Sequence, residues 1–201
     1  KIGDIVSIIE CGFIPKFVDI NLSNLAADSK LIIDTISSKT VAILLSHIQG
    51  FNGLTQNLYN IIKKKKITLI EDVCESHGAT FKNKKCGTFG LISNFSFYYA
   101  HHLSTIEGGM ICTNDKNVYL NAKMLRAHGL LRESKDKNYI NTHKKKYKSL
   151  NPDFIFMLSG FNMRNNEIGA IMGISQLKRL DTMIYKRNKN HLHFLNKIDK
   201  T

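Results

Sequence analysis

A chain of 201 residues is long enough to bury one sizeable core, and a content of 43% hydrophobic and 22% charged residues is typical of a soluble globular protein. No apolar run approaches the roughly 18 residues of a transmembrane helix, so no membrane partner is expected. The four cysteines form no CxxC pair, which argues against zinc and iron–sulfur sites and predicts reduced thiols in a cytoplasmic protein.

The net charge of +13 leaves the class of partner open. A strongly basic chain is typical of nucleic-acid-binding proteins. Here the charge is concentrated in lysine runs such as Lys63–Lys66 and Lys144–Lys146, without the interleaved aromatic residues of a base-stacking surface. We therefore predict solvated lysine faces and no nucleic-acid partner. An anionic substrate is equally compatible with the charge.

In chain order, short apolar runs alternate with amphipathic segments. The runs predict strands at 16–20, 41–45, 67–70, 95–99 and 109–113, and the amphipathic segments predict helices at 29–37, 54–65, 117–126 and 166–185. The lysine-rich stretch 133–149 predicts a loop. Buried strands joined by helices predict an α/β fold, with a mostly parallel sheet and helices on both faces. Ligands of such folds bind at the carboxyl ends of the strands, which singles out Glu71–Glu75.

Three polar positions are candidates for chemistry, and each has a structural alternative. Asp72 follows a buried strand, where it is either a functional carboxylate or a helix cap or salt-bridged loop residue. His101 and His102 suit acid–base chemistry near neutral pH. As neighbours on extended backbone they point to opposite faces, which disfavours a shared metal, and His102 remains open as a hydrogen-bonded structural residue. Ser96 is a candidate phosphate ligand, as many loop serines are.

The segment Glu71–Thr113 reads EDVCESHGATFKNKKCGTFGLISNFSFYYAHHLSTIEGGMICT. It resembles the core of the DegT/StrS family of sugar aminotransferases, whose pattern is roughly ED-x-x-[QE]-x-x-G, then G-[ST]-x-G, then FSF-x-x-x-K-x-[LI]-[ST]-x-x-EGG. The upstream block IIECGFIPKFVDINLSNL and the downstream block GFNMRNNEIGAIMGISQLKRLD resemble the family in the same order. The resemblance implies the large domain of a fold-type-I enzyme that uses pyridoxal phosphate or pyridoxamine phosphate.

The resemblance also implies a role for each matching residue. Asp72 corresponds to the aspartate that pairs with the cofactor's pyridinium nitrogen, which keeps the ring an electron sink. Glu75 corresponds to the position beside the cofactor's ring hydroxyl, where the family usually has glutamine. Ser96 corresponds to the serine that binds the cofactor phosphate. Asn162 corresponds to an asparagine that reaches the phosphate of a neighbouring subunit, which implies a homodimer with shared sites.

The sequence departs from the aminotransferase pattern at His101, where those enzymes have the lysine that bonds covalently to the cofactor. Imidazole cannot form that bond, so the cofactor would be held non-covalently, as pyridoxamine phosphate. The stretch SFYYAHHLSTIEGG resembles a small branch of the family, the nucleotide-sugar 3-dehydratases that make 3,6-dideoxysugars of surface polysaccharides. His101 is therefore the predicted catalytic residue.

The mechanism implied by this branch is an elimination. The cofactor amine condenses with the C4 ketone of a GDP- or CDP-linked 4-keto-6-deoxy sugar, His101 removes a proton from the cofactor's C4′ carbon, and the C3 hydroxyl leaves. One version of the branch regenerates pyridoxamine phosphate with L-glutamate, and the other uses an iron–sulfur cluster. The absence of cluster-like cysteine spacing favours glutamate.

Two other functions remain open from the sequence: an aminotransferase-like or degenerate cofactor-binding relative, and a basic binding protein. The chain begins at Lys1 without an initiator methionine, and family members are usually longer. We therefore expect a chain truncated at both ends. On this view residues 1–185 are part of the cofactor-binding large domain, and residues 186–201 begin the connection to a small domain.

Overall fold

The computed structural model describes residues 2–198, which divide into two compact units. One unit contains the residues up to Met110 and those from Ile168 onward, and the other contains Ile111–Glu167. The α-helices of the described residues are α1 (Ile2–Glu10), α2 (Ser29–Thr35), α3 (Gln56–Lys65), α4 (Lys116–Leu125), α5 (Lys137–Lys146), α6 (Glu167–Leu177) and α7 (Leu180–Leu195). The strands are β1 (Ala42–Ser46), β2 (Thr68–Asp72), β3 (Thr80–Phe81), β4 (Lys84–Lys85), β5 (Ile92–Ser96) and β6 (Gly109–Cys112).

The main sheet has the strand order β1-β2-β5-β6, and β3 and β4 form a separate antiparallel pair. Strand β2 is parallel to both of its neighbours, β1 and β5. The register places Leu45 beside Glu71 and Ser46 beside Asp72. Asp72 is also beside Asn94 on the other side. The predicted α/β class with a mostly parallel sheet is confirmed.

The core of the first unit lies where α2 and α3 pack against one face of the sheet. Helix α3 begins after Thr55, whose side chain accepts a hydrogen bond from the Leu58 amide. Leu58 and Ile62 lie one helical turn apart and are buried. They join a cluster that also contains Ile32, Leu45, Leu54 and Leu69. Since strand residues alternate between faces, Leu69 and Glu71 face this core and Asp72 faces the opposite side.

The second unit is built around α4 and α5. Helix α4 is capped by Asp115, whose carboxylate accepts a hydrogen bond from the Val118 amide. The buried apolar side chains of this unit are those of Met124, Ala127, Leu130, Leu131 and Ile155. Gly129 has a φ of +77°, and a Cβ atom there would lie 1.8 Å from the Leu158 carbonyl oxygen. Only glycine therefore fits at this turn.

Two local predictions are wrong. Residues 16–20 do not form a strand, because the segment makes only an isolated bridge from Ile20 to Ala27 and Phe17 is 70% exposed. The predicted loop at 133–149 contains helix α5. That helix has little apolar surface, but Asp136 caps its amino end and the basic residues of its last turn suit the helix dipole.

Two other elements differ from their predicted bounds by more than two residues or by a break. The strand predicted at 95–99 is β5, which begins three residues earlier, where Ile92 pairs with Ile70 of β2, and ends at Ser96. The helix predicted at 166–185 is divided into α6 and α7 around Lys178 and Arg179, although neither glycine nor proline marks the break. Helix α7 runs across the predicted domain boundary at 185/186. Residues 199–201, the end of the predicted connection, lie outside the described residues.

None of the helices within residues 2–198 combines the length and the apolar character that crossing a lipid bilayer requires.

Candidate functional site

Asp72 ends strand β2 at the carboxyl edge of the sheet. Its side chain is almost fully buried, with a relative exposure of 2% for the residue, and its Oδ1 accepts a hydrogen bond of 2.8 Å from the Cys74 amide. Register places it beside Ser46 and Asn94, with all three side chains on the same face. A carboxylate can accept several hydrogen bonds, so this position suits the N–H of a cationic ligand as well as the turn that it caps.

Ser96 ends strand β5 on that same face. It lies two residues beyond Asn94, the register partner of Asp72, and thus about 7 Å further along the strand direction. Its Oγ accepts a hydrogen bond of 3.2 Å from the Tyr98 amide. The sheet therefore presents a carboxylate and a hydroxyl on the same face at its carboxyl edge.

Glu75 lies in the turn that follows β2. Its Oε2 accepts a hydrogen bond of 3.3 Å from the backbone amide of Gln49, which has a left-handed φ of 53°. Gln49 belongs to the loop that follows β1. This contact joins the two loops at the carboxyl edge and holds the Glu75 carboxylate there.

His101 lies in the connection between β5 and β6. Its amide donates to the Tyr98 carbonyl at 3.0 Å, and its ring centroid is 5.7 Å from that of Tyr98. His102, next to it, is half-buried with its ring 5.8 Å from that of His77, a residue of the turn after β2. The structure thus brings the loops that follow β2 and β5 together through His77 and His102, and His101 is the residue next to that contact.

The surroundings of His102 favour a neutral ring. Burial lowers its pKa below the usual value, and the nearby positive charges of Arg187 and His101 lower it further, while Glu75 opposes them. Its Nδ1 atom is buried and has no hydrogen-bond partner among the described residues. The interpretation of His102 as a hydrogen-bonded structural residue is therefore not supported at that nitrogen. Glu75 and His101 are therefore both near enough to His102 to affect its pKa.

Asn162, the fifth predicted site residue, belongs to the second unit. It is exposed and forms an antiparallel bridge with Ala127. The preceding residue, Phe161, accepts a hydrogen bond of 2.7 Å from the His128 amide. The predicted role of Asn162 at a subunit interface stays a prediction.

A buried histidine–glutamate pair lies on the other face of the sheet, behind Asp72, and sequence reasoning missed it. His47 Nε2 is 3.2 Å from Glu71 Oε1, and both side chains are 0% exposed. Glu71 also accepts three backbone hydrogen bonds of 2.7–2.8 Å, from Gly87, Phe89 and Gly90. The pair therefore joins the end of β1 to β2 and to the turn that leads into β5.

The hydrogen bonds of the pair determine its protonation. The Gly53 amide donates to His47 Nδ1 at 3.2 Å, so the ring proton belongs on Nε2 and is donated to Glu71. Burial of Glu71 opposes its ionisation, but the hydrogen bonds from His47 and the backbone outweigh it, and the pKa lies below the ordinary value. A neutral His47 and an ionised Glu71 follow. The available signal in the sequence was a glutamate within a strand, followed 16 and 19 residues later by Gly87 and Gly90.

The lowered pKa of Glu71 predicts a loss of stability in acid. An unfolded glutamate titrates near pH 4.3, so the stabilisation from ionised Glu71 is complete above that pH and is lost as the pH falls through the lower folded pKa. We expect the free energy of unfolding to fall more steeply below about pH 4.3 in the wild type than in Glu71→Gln. Urea titrations from pH 6 to pH 3 measure this, and parallel curves for the two proteins would contradict it.

Within residues 2–198, no group of three or more histidine, cysteine, aspartate or glutamate side chains is arranged to hold a metal ion. Asp72 and Glu75 supply carboxylates, and Ser96 a hydroxyl, that can hydrogen-bond an organic ligand.

Comparison with known proteins then identifies the family. Residues 3–200 match the DegT/DnrJ/EryC1/StrS aminotransferase family. The chain belongs to this family. It is 41% identical over 182 residues to the GDP-4-keto-6-deoxy-D-mannose 3-dehydratase of Escherichia coli O55:H7, a match that covers 90% of this chain and 47% of that protein. The predicted family is confirmed.

Solved structures of relatives show the same fold. One is the E. coli GDP-4-keto-6-deoxy-D-mannose 3-dehydratase with bound hydrated PLP, with a TM-score of 0.83 and 38% identity, covering 94% of this chain and 49% of that one. Another is a GDP-4-keto-6-deoxymannose 3-dehydratase with a trapped PLP-glutamate geminal diamine, with a TM-score of 0.86 and 37% identity, covering 98% and 51%. The fold-type-I class is confirmed. The DegT/StrS chain described here spans about half the length of these relatives.

Proposed function

We propose that the protein is a nucleotide-sugar 3-dehydratase that removes the C3 hydroxyl of a GDP-linked 4-keto-6-deoxy sugar. The observation that carries the proposal is a histidine, His101, where the family's aminotransferases have lysine, on a loop that meets the turn after Asp72. The relative at 41% identity is named for this reaction on a GDP-linked sugar. That name supports GDP rather than CDP as the nucleotide.

The candidate site fits pyridoxamine phosphate, the cofactor proposed for the reaction. That group supplies an amine that condenses with a ketone and a ring that accepts electrons. The buried Asp72 carboxylate would hold a proton on the ring nitrogen, and the Ser96 hydroxyl would bind the phosphate. Glu75, held by the Gln49 amide, would lie beside the ring hydroxyl. The PLP bound in the structure of a relative supports this assignment.

His101 would move the proton that the elimination requires. An imidazole takes up and returns a proton near neutral pH, and it does not tie the cofactor covalently to the chain. Burial lowers the pKa of His102, which favours an uncharged ring next to His101 in the chain. L-Glutamate is the proposed amino donor for regenerating the cofactor, a choice that the PLP-glutamate adduct in a relative supports.

The proposal extends to assembly, location and domains. In helix α6, the side chains of Ile168, Ile171 and Ile174 are 59–72% exposed. An apolar stripe of this kind supports a homodimer in which Asn162 reaches the partner's cofactor.

The proposed domain organisation is the same as that predicted from the sequence: residues 1–185 lie within a large domain, and residues 186–201 lead to a small one. A cytoplasmic enzyme of surface-polysaccharide or O-antigen synthesis is consistent with reduced thiols and a nucleotide-sugar substrate.

The product decides between the proposed reaction and amino transfer. The complete gene product, mixed with pyridoxamine phosphate, L-glutamate and GDP-4-keto-6-deoxymannose, is expected to yield a 3-deoxy sugar, because His101 can transfer the proton without capturing the cofactor. Mass spectrometry and NMR of the sugar measure the outcome. A 4-amino sugar as the sole product would refute the dehydratase and leave an aminotransferase. If neither sugar product forms and the protein binds heparin tightly, the result would favour a basic binding protein.

A further inference from the structure

The His101 loop, defined as residues 97–108, is a compact connection with a buried interior. Its ends are joined by a hydrogen bond of 2.8 Å from the Phe97 amide to the Gly108 carbonyl. Leu103 and Thr105 are each 5% exposed. The conformation of the loop therefore depends on what packs against its middle, two to four residues after His101.

Helix α6 binds the middle of this loop through one side chain, that of Gln176. The Ser104 amide donates to Gln176 Oε1 at 3.0 Å, and Gln176 Nε2 donates to the Ser104 carbonyl at 2.5 Å. Both polar atoms of one side-chain amide thus bond to the backbone of one residue, 72 positions earlier in the chain. Two hydrogen bonds from one side chain fix the orientation of the Ser104 backbone relative to α6 as well as its distance from the helix.

A second contact, one turn earlier on α6, brings the helix close to the loop. A Cβ atom on Gly173 would lie 3.2 Å from Thr105 Cγ2, so glycine allows an approach that a larger residue would hinder. Helix α6 therefore packs closely against the loop at Gly173 and forms hydrogen bonds with it at Gln176.

The loop also contains a strained residue. Ile106 has a φ of 72°, in the left-handed region that a β-branched side chain strongly disfavours. Its amide donates to Ser104 Oγ at 3.1 Å, so the strained turn begins at the residue that Gln176 holds. Strain persists only when the surroundings maintain it.

We propose that Gln176 is a positioning residue that fixes the His101 loop in the conformation that presents the imidazole to the cofactor. The significance of that imidazole rests on the proposed function. The glutamine itself is assigned by its contacts with Ser104. Without its two hydrogen bonds the strain at Ile106 would relax, and His101, three residues before Ser104, would lose its place.

Two substitutions test the proposal. Gln176→Glu keeps the size and the acceptor oxygen but removes the N–H donated to the Ser104 carbonyl, and Gln176→Leu removes both bonds. The matched control is Gln56→Glu, which changes an exposed glutamine whose side chain donates a hydrogen bond to Asn60 within α3. All three are made in the complete gene product, and folding is checked by thermal unfolding.

The first readout is hydrogen exchange of the loop, which requires neither cofactor nor activity. Peptides covering 97–108 are expected to exchange about tenfold faster in both Gln176 variants and at the wild-type rate in the control. Unchanged exchange in both Gln176 variants would overturn the proposal.

The second readout separates positioning from stability. In a His101→Lys background, Gln176→Glu is expected to slow formation of the covalent lysine–PLP adduct by roughly tenfold to a hundredfold, because a displaced loop moves the reactive nitrogen. With His101 present, kcat for the 3-deoxy product is expected to fall by a similar factor with little change in KM. Faster exchange with unchanged adduct formation would overturn the proposal. If the wild type forms no 3-deoxy sugar, the proposed function fails. Hydrogen exchange of the loop and formation of the lysine–PLP adduct still decide the role of Gln176.

Discussion

Replacing His101 by lysine in the complete gene product is expected to abolish the 3-deoxy product and to create a covalent lysine–cofactor adduct. The substitution removes the proposed proton carrier, and general acid–base groups contribute about 10²–10⁴-fold to rate. It also restores the amine that the family's aminotransferases have at this position. Two measurements check it: the rate of 3-deoxy sugar formation, and the absorbance of the protein after addition of PLP.

The matched control for this experiment is His102→Lys, because His102 is adjacent in sequence and its surroundings differ. Its ring is half-buried against His77, where burial and neighbouring positive charge already disfavour a cation. We expect no adduct band from this variant. Similar bands from both variants would mean that either loop position reaches the cofactor, and a band from neither would mean that His101 does not face it.

Replacing Glu71 by leucine is expected to lower the free energy of unfolding by about 3–5 kcal/mol, because it removes one partner of a fully buried polar network. Four donors would lose their acceptor: the His47 ring and the amides of Gly87, Phe89 and Gly90. Leucine has a similar size, so loss of the hydrogen bonds, rather than a cavity, would dominate. Urea unfolding followed by circular dichroism measures the change.

Glu71→Gln provides a milder variant should the leucine protein fail to fold. It keeps one acceptor oxygen but turns an NH₂ group toward the donors, and a loss of about 1–3 kcal/mol is expected. Glu10→Leu, at the exposed end of α1, is the control and should change stability by less than about 0.5 kcal/mol. A loss below about 1 kcal/mol for Glu71→Leu would contradict the view that this network holds the turn into β5.

Four of the five predicted site residues lie at or just beyond the carboxyl edge of the sheet, because they are close together along the chain. Asp72, Glu75, Ser96 and His101 fall within one segment of the family pattern, and parallel strands align their carboxyl ends. No pattern within that segment indicates which distant residues, such as His47 and Gln176, form hydrogen bonds with it. The strand predicted at 16–20 failed for the same reason, since an apolar run becomes a strand only where a neighbouring strand pairs with it.

The sequence by itself determined the family, the α/β class and the histidine that replaces lysine, because motif and hydrophobic period are local properties of the chain. Only the tertiary structure decided that Glu71 pairs with His47, 24 residues away, and that Gln176 holds Ser104, 72 residues away. It also decided where the helix at 166–185 breaks. Contacts between distant residues depend on how strands and helices pack, and no pattern along the chain encodes the partner of a single buried polar side chain.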